Sequence, residues 1–486
     1  MSEGLDVIIF GASGDLAGKK VFPAFFSLFC RGLLPKKIRF SGYARTPMTD
    51  EEFRLSIEKN LTCRYTPDSS CGDYIRDFLR RCYYYYGDYS SVDKYKQIID
   101  GESKSSSNRL FYLAVPPVLF EVVSETLRKS GLVYSESDSK YSRIIIEKPF
   151  GHDRESSDLL NNALSECFSE NQIYRIDHYL GKEVVQNILV FRFANIIFQP
   201  VWNSDYIEKI EVNWSEKQGV TGRTGYFDNY GIIRDVIQNH LLQVLALITM
   251  EPPDNLNPDE IRDKKVALLK NIPPPSLKDV VIGQYDSGLV GGGKMSAYRD
   301  EPGVKKDTKT PTCAFIKFRI KGSRWNNIPV EISAGKALDS HKAEIIITFK
   351  RSCGNIFCVT GNCPPANKLV MRIQPNEGIH FIVATKVPGR KLEIQPKELD
   401  LSYTKVFTDN ILPGAYENLL LDAIKGDRTL FIRNDELQEL WNILTPVLKE
   451  IDKMELEPVL YPFGSRGPSV KILKKEIQCN EKYKQF

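Results

Sequence analysis

The sequence predicts a doubly wound α/β domain followed by an α+β domain built on a large, mostly antiparallel open sheet. Three observations carry this. Val7-Ile8-Ile9-Phe10 is a short continuous apolar run stopped by Gly11, with the length and β-branching of a buried parallel strand. Apolar runs then alternate with helical stretches up to about residue 175, the pattern of a parallel sheet with crossover helices. Beyond that point the alternation becomes residue by residue, the mark of an antiparallel sheet with one wet face. The domain boundaries are therefore drawn at 1–175 and 176–486.

Each element follows from its residues. A helix from about Lys19 to Gly32 succeeds the first strand, and a second strand is expected at Ile38–Tyr43. Further strands are expected at Leu110–Val115 and Arg143–Ile146, each preceded by a helical stretch. The run Tyr83–Tyr86 reads as an aromatic strand or helix edge and receives no function. In the second domain Ala314, Ile316, Phe318 and Ile320 alternate with polar or wet-face positions, as do Leu369, Met371 and Ile373, and Ile210, Val212 and Trp214. Ile232–Ile248 is an almost wholly apolar helix interrupted by Arg234, Asp235, Gln238, Asn239, His240 and Gln243. Ser103–Asn108, Pro252–Pro258, Pro273–Pro275 and the triple glycine Gly291–Gly293 mark loops.

Composition narrows the function class. The chain has 486 residues, 66 basic and 62 acidic side chains, and a net charge of only +4, with no basic stripe that would hold nucleic acid. No window approaches the 18 apolar residues of a membrane span. The ten cysteines lack metal-ligand spacing or a repeating framework, so they read as reduced thiols in a cytoplasmic protein without a resident metal. The start runs directly into the first strand, so no signal peptide is expected.

The turn after the first strand is Gly11-Ala12-Ser13-Gly14-Asp15-Leu16-Ala17-Gly18. Between a strand and a helix, glycines let backbone N–H groups approach a pyrophosphate, which the helix N-terminus then stabilises. The spacing G-x-x-G-x-x-A is a relative of the common dinucleotide fingerprint, and a plain tight turn has the same letters. The second strand ends in Gly42-Tyr43-Ala44-Arg45-Thr46, with an arginine where NAD-binding domains place an acid. A guanidinium pairs with a 2′-phosphate and lies over adenine, and Lys20 adds charge. The domain is thus read as Rossmann-like and its coenzyme as NADP.

Three fragments carry polar chemistry. In Arg175-Ile176-Asp177-His178-Tyr179-Leu180-Gly181-Lys182, an Asp177 helix cap puts His178, Tyr179 and Lys182 at about 0°, 100° and 40° on one helix face. That arc is a cup for a phosphate dianion, or else a wet helix face. In Ile144-Ile145-Ile146-Glu147-Lys148-Pro149, Lys148 stands at the carboxyl end of a buried strand, where open α/β sheets bind ligands. Glu216 continues the parity of Ile210, Val212 and Trp214, which suits a sugar-hydroxyl acceptor, a bulge or an ion pair. His240 on its apolar helix is either a satisfied core residue or part of a polar cavity with Asp235 and Asn239.

Taken in order, Gly11-Ala-Ser-Gly-Asp-Leu-Ala, Gly42-Tyr-Ala-Arg, Glu147-Lys-Pro-Phe-Gly, Arg175-Ile-Asp-His-Tyr-Leu-Gly-Lys, Gly231-Ile-Ile-Arg-Asp, Gln238-Asn-His-Leu-Leu, Gly335-Lys-Ala-Leu, Gln374-Pro-Asn-Glu and Gly464-Ser-Arg-Gly-Pro resemble the glucose-6-phosphate dehydrogenase family over nearly the whole chain. The resemblance implies oxidation of glucose 6-phosphate at C1 to 6-phosphogluconolactone with hydride passing to NADP⁺, the first oxidative step of the pentose phosphate pathway. It implies His240 as general base and Asp177 as the carboxylate that orients it, a pairing suited to an imidazole of ordinary pKa near 6.5. It implies His178, Tyr179, Lys182 and Lys336 as sugar-phosphate ligands, and Glu216, Asp235 and Gln374 near the ring. Lys148 falls between substrate and coenzyme, and residues Gly11 to Gly18, Lys20, Arg45 and Lys148 form the coenzyme site. Family members pair through the large sheet, so a dimer or a dimer of dimers is expected.

The chain also departs from the family pattern. His341 stands where an arginine is frequent near the substrate phosphate, so weaker or pH-sensitive binding is expected there. Phe120 replaces a tyrosine beside the coenzyme. For the second, structural NADP of animal members, Lys342, Arg372, Asp400, Ser402 and Arg466 keep part of the pattern. Ser333, Ile346 and Ile382 replace basic residues, and the tail lacks a stacking tryptophan, so a tight second NADP is not expected. Two rival readings are another NADP-dependent sugar oxidoreductase of similar two-domain plan and a non-catalytic NADP sensor; the first has no need of the phosphate cup, the second none of His240 and Asp177.

Overall fold

A computed structural model describes residues 4–99, 107–326, 328–351, 356–359, 363–408 and 411–468. Of the expected Ser103–Asn108 loop, residues 103–106 lie outside these. The chain divides into two compact units, Met1–Lys182 with Asp254–Arg262 and Ile411–Gln438, and Glu183–Pro253 with Asp263–Asn410 and Glu439–Phe486.

In the first unit a seven-stranded sheet runs in the order Phe431–Ile432, Ile173–Ile176, Ser142–Glu147, Ser107–Leu113, Gly4–Phe10, Ile38–Ala44 and Cys82–Tyr86. All neighbours are parallel except Phe431–Ile432, which is antiparallel to Ile173–Ile176. Gly4–Phe10 is buried along its length, as its unbroken apolar run requires. Chain order reverses between Gly4–Phe10 and Ser107–Leu113, so the crevice that binds ligands in such sheets opens at their carboxyl ends. The tyrosine run forms the edge strand, and the Arg39 guanidinium lies 4.5 Å from the Tyr83 ring centroid. The helix after the first strand opens earlier than Lys19, because the Gly18 N–H already bonds the Gly14 carbonyl at 3.1 Å; a wide π-type stretch, Ala17–Val21, leads into Phe22–Cys30.

In the second unit a nine-stranded sheet runs in the order Ile394–Ser402, Gly378–Lys386, Lys368–Gln374, Lys342–Phe349, Ile207–Ser215, Val330–Gly335, Cys313–Phe318, Val280–Asp286 and Val459–Pro462. Six of the eight pairings are antiparallel; Ile207–Ser215 with Val330–Gly335, and Val280–Asp286 with Val459–Pro462, are parallel. The alternating residues face inward as expected: Ile210, Val212, Trp214, Ala314, Ile316, Phe318, Leu369, Met371 and Ile373 are all buried. Edge strand Ile394–Ser402 is largely exposed, including Leu399 and Leu401.

The expectation of ten reduced thiols is corrected. Cys63–Cys71 and Cys358–Cys363 are disulfides, formed across Cα separations of 5.8 and 4.0 Å. Each joins residues only eight or five apart in the chain, a pairing that composition does not register. Cys30, Cys82, Cys167 and Cys313 are free thiols. Among the described residues, no helix is long and apolar enough to cross a membrane.

Candidate active site

In the first unit the candidate residues emerge from the carboxyl edge of the parallel sheet. Gly11 follows Gly4–Phe10, Arg45 follows Ile38–Ala44, Lys148 follows Ser142–Glu147, and Asp177 follows Ile173–Ile176. Glu147 and Ile176 are register partners, so Lys148 and Asp177 leave the sheet side by side.

Gly11 adopts φ +79°, and a Cβ there would lie 2.3 Å from the Ala114 carbonyl oxygen, inside contact distance. Its N–H bonds the Tyr43 carbonyl at 2.8 Å, while its carbonyl accepts the Gly14 N–H at 2.9 Å. The turn is thereby closed against the switch point, with Ala12 and Ala17 buried beneath and Ser13, Gly14 and Asp15 exposed. Lys19 pairs with Asp15 at 3.0 Å, and Lys20 is exposed on the same turn. Exposed Arg45 lies 5.9 Å from the ring of buried Tyr89, whose phenol is pushed up by burial and held down by that guanidinium. This set fits a phosphorylated dinucleotide: a glycine cradle at a helix start, and a cation in place of a ribose-binding acid. Sequence reasoning missed two supports. Tyr84, within the tyrosine run, bonds the Ser13 side chain and donates its hydroxyl to the Thr46 carbonyl at 2.6 Å; strand parity within that run was the available signal. Tyr89 had none. Phe120 is fully buried at the start of helix Phe120–Lys129.

The expected helix cap at Asp177 is corrected. Residues 177–182 form a turn, and the helix begins at Glu183. The Asp177 carboxylate accepts the Tyr179 N–H at 2.9 Å and its carbonyl accepts the Leu180 N–H at 3.0 Å, closing a local side-chain turn in place of a helical one. The Tyr179 carbonyl then accepts the Lys182 N–H at 3.1 Å. The turn still gathers the three side chains: the Tyr179 ring centroid lies 5.2 Å from that of His178 and 5.3 Å from the Lys182 ammonium.

In the second unit the candidates gather at one end of the nine-stranded sheet. Ser215 is opposite both Gly335 and Lys342, and Ala343 is opposite Gln374. Glu216, Lys336, His341 and Gln374 therefore leave four adjacent strands at the same end. Lys336 donates to Glu216 at 2.6 Å and lies 5.2 Å from the Trp214 ring centroid; the parity that picked out Glu216 finds it in an ion pair. His341 is exposed and Gln374 is half-buried. Lys342 pairs with Glu344, while Asp400 already holds Ser402, Lys405 and His380. Arg466 reaches Asp339 at 3.4 Å.

His240 and Asp235 lie on a π-type stretch, Ile233–Leu241, that runs on into helix Leu242–Thr249; a kink at Gly231 separates it from the helical residues that begin at Thr224. Gly231 has φ +63°, and a Cβ there would lie 3.1 Å from Pro311 Cδ. The Asn239 side-chain amide donates to two backbone carbonyls of this stretch, Arg234 at 3.2 Å and Asp235 at 3.1 Å. Asn239 Oδ1 accepts the His240 N–H at 2.6 Å. Gln238, Asn239 and His240 are thus buried together, while Asp235 is half-buried and takes the Tyr226 hydroxyl at 3.4 Å. The polar residues of this apolar helix were legible; its widened turn was not.

Comparison with known proteins adds the family. Residues 8–187 match the family model described as glucose-6-phosphate dehydrogenase, NAD binding domain, and residues 189–479 match the C-terminal domain of the same enzyme. The chain is 45% identical over 471 residues to glucose-6-phosphate 1-dehydrogenase 1, chloroplastic, of Arabidopsis thaliana, covering 96% of this chain and 81% of that one. It is 46% identical over 472 residues to the glucose-6-phosphate 1-dehydrogenase of Dictyostelium discoideum, covering 96% and 92%. A solved glucose-6-phosphate dehydrogenase in complex with glucose 6-phosphate superposes with a TM-score of 0.90 at 41% identity over 98% of both chains. Levoglucosan dehydrogenase, with a TM-score of 0.52 at 10% identity, shares the fold alone.

Proposed function

Since the chain belongs to the glucose-6-phosphate dehydrogenase family, we propose that its candidate residues divide the work of that family's reaction between them. The enzyme oxidises glucose 6-phosphate at C1 to the lactone with NADP⁺ as acceptor. Bound NADP⁺ supplies the hydride acceptor; the remaining steps belong to side chains. The Gly11–Gly18 turn and Lys20 hold the pyrophosphate, and Arg45 reads the 2′-phosphate. His178, Tyr179, Lys182 and Lys336 hold the sugar phosphate, with His341 at its margin. Glu216, Asp235 and Gln374 orient the ring hydroxyls, and Lys148 lies between sugar and coenzyme. His240 takes the C1 hydroxyl proton, and Asp177 is the carboxylate that fixes its tautomer and stabilises its charged form. Residues 1–175 serve the coenzyme and 176–486 the substrate and self-association.

The observation that carries this reading is the emergence of Gly11, Arg45, Lys148 and Asp177 from the carboxyl edge of one parallel sheet. The test is NADPH formation with glucose 6-phosphate, with free glucose and with NAD⁺ in place of NADP⁺. Reduction is expected only with the phosphorylated sugar and preferentially with NADP⁺; equal turnover of free glucose would favour the rival sugar oxidoreductase. In the same assay Arg45→Ala is expected to lower the preference for NADP⁺ over NAD⁺ by roughly tenfold or more. An unaltered ratio would assign the 2′-phosphate to other groups.

Self-association through the second unit's sheet is supported by its exposed edge strand Ile394–Ser402, with Leu399 and Leu401 outward. Light scattering is expected to give a mass at least twice the 55.4 kDa of one chain. The curated relatives include chloroplastic and cytoplasmic forms.

A further inference from the structure

Behind the His178 turn lies a carboxyl group that the mechanism above does not use. Strand Ser142–Glu147 ends on Glu147, which is buried. Tyr112, from the adjacent strand Ser107–Leu113, donates its hydroxyl to Glu147 Oε1 at 2.6 Å. The hydroxyl of Tyr416, from the first turn of helix Ala415–Lys425, bonds the same carboxyl group. The Tyr416 ring in turn lies parallel to the His178 imidazole, with planes 8° apart and centroids 6.3 Å apart, within the range of offset stacking.

Tyr416 is also held from behind. The next residue, Glu417, is buried and accepts the Tyr65 hydroxyl at 2.8 Å, with Arg64 at 3.3 Å and Arg31 at 3.7 Å. The Gly181 end of the His178 turn packs on the same helix start, where a Cβ would lie 2.5 Å from the Ala415 carbonyl oxygen. A ring fixed at its hydroxyl and at its backbone presents a rigid plane.

We propose that Glu147 and Tyr416 are positioning residues for the sugar phosphate: the carboxyl group fixes the Tyr416 phenol, and the Tyr416 ring fixes the plane of His178. This rests on the assignment of His178 to the phosphate. The physical gain is preorganisation, since an imidazole free to rotate must be ordered each time a dianion binds. A buried carboxyl group with two phenol donors is also what such a support requires, because without them its burial is costly. Burial raises the Glu147 carboxyl above its usual range, and the Tyr112 and Tyr416 hydroxyls, followed by Lys148, oppose that shift.

The test compares Tyr416→Leu, which removes the ring, with Tyr416→Phe, which keeps the ring and loses the hydroxyl, and uses His178→Asn as reference. In Tyr416→Leu the KM for glucose 6-phosphate is expected to rise about three- to tenfold, with the larger share of the effect on KM rather than kcat. Tyr416→Phe is expected to recover part of that rise. In ¹H–¹³C spectra the His178 Cε1–H signal, identified by its loss in His178→Asn, is expected to move when the ring is removed. An unmoved signal, or KM values for NADP⁺ and glucose 6-phosphate rising alike, would overturn the proposal. A raised KM in His178→Asn beside an unchanged one in both Tyr416 variants would overturn this proposal alone; an unchanged KM in His178→Asn would overturn the phosphate assignment on which it rests.

Discussion

Replacing His240 with Asn is expected to lower kcat by roughly 10²–10⁴, the usual contribution of a positioned general base, with little change in KM. Asparagine keeps a polar side chain of similar size beside Asn239 on the wide helical turn, where the His240 backbone N–H already has its partner. What it lacks is a nitrogen able to accept the C1 hydroxyl proton. The acidic limb of the kcat/KM profile is expected to disappear with it, because that limb records protonation of the base. Turnover within a few-fold of the parent would place the base elsewhere.

Replacing Lys182 with Ala is expected to raise KM for glucose 6-phosphate roughly ten- to a hundredfold. A charge-assisted contact to a phosphate contributes about 1.5–3 kcal/mol, and a contact made equally in ground and transition states appears in KM. Inorganic phosphate, as a competitive inhibitor, is expected to weaken in parallel, while the KM for NADP⁺ stays within twofold. Lys182→Arg restores a cation on the same turn and is expected to recover part of the loss. An unchanged KM would remove Lys182 from the phosphate site.

Much of the molecule was legible because its signals are local. An apolar run ending in glycine specifies Gly4–Phe10 and the cradle after it, and period-two alternation specifies the inward faces of Ile207–Ser215, Cys313–Phe318 and Lys368–Gln374. The misses arise where a local rule meets a competitor. Asp177 is a good helix cap by type, yet its carboxylate bonds the backbone two residues on and closes a turn, an option that spacing does not reveal. Cys63 and Cys71 show no framework in the sequence, although their chain segments meet. An ion pair was one reading of Glu216, but only the strand register identifies Lys336 as its partner. Tyr416 lies more than two hundred residues beyond His178, and no periodicity connects distant rings.

The widened turn at Ile233–Leu241 ties the aim of the imidazole to chain length. A π-type stretch carries one residue more than an α-helix needs to cover the same rise, and each helical residue turns the chain by about 100°. Deleting a single residue there would let the segment close into a regular helix and swing His240 relative to the residues before the deletion. Every polar side chain would survive, pointing the wrong way. A designer who grafts Gln238-Asn239-His240 onto a straight helix would therefore transfer the letters of the site without its direction.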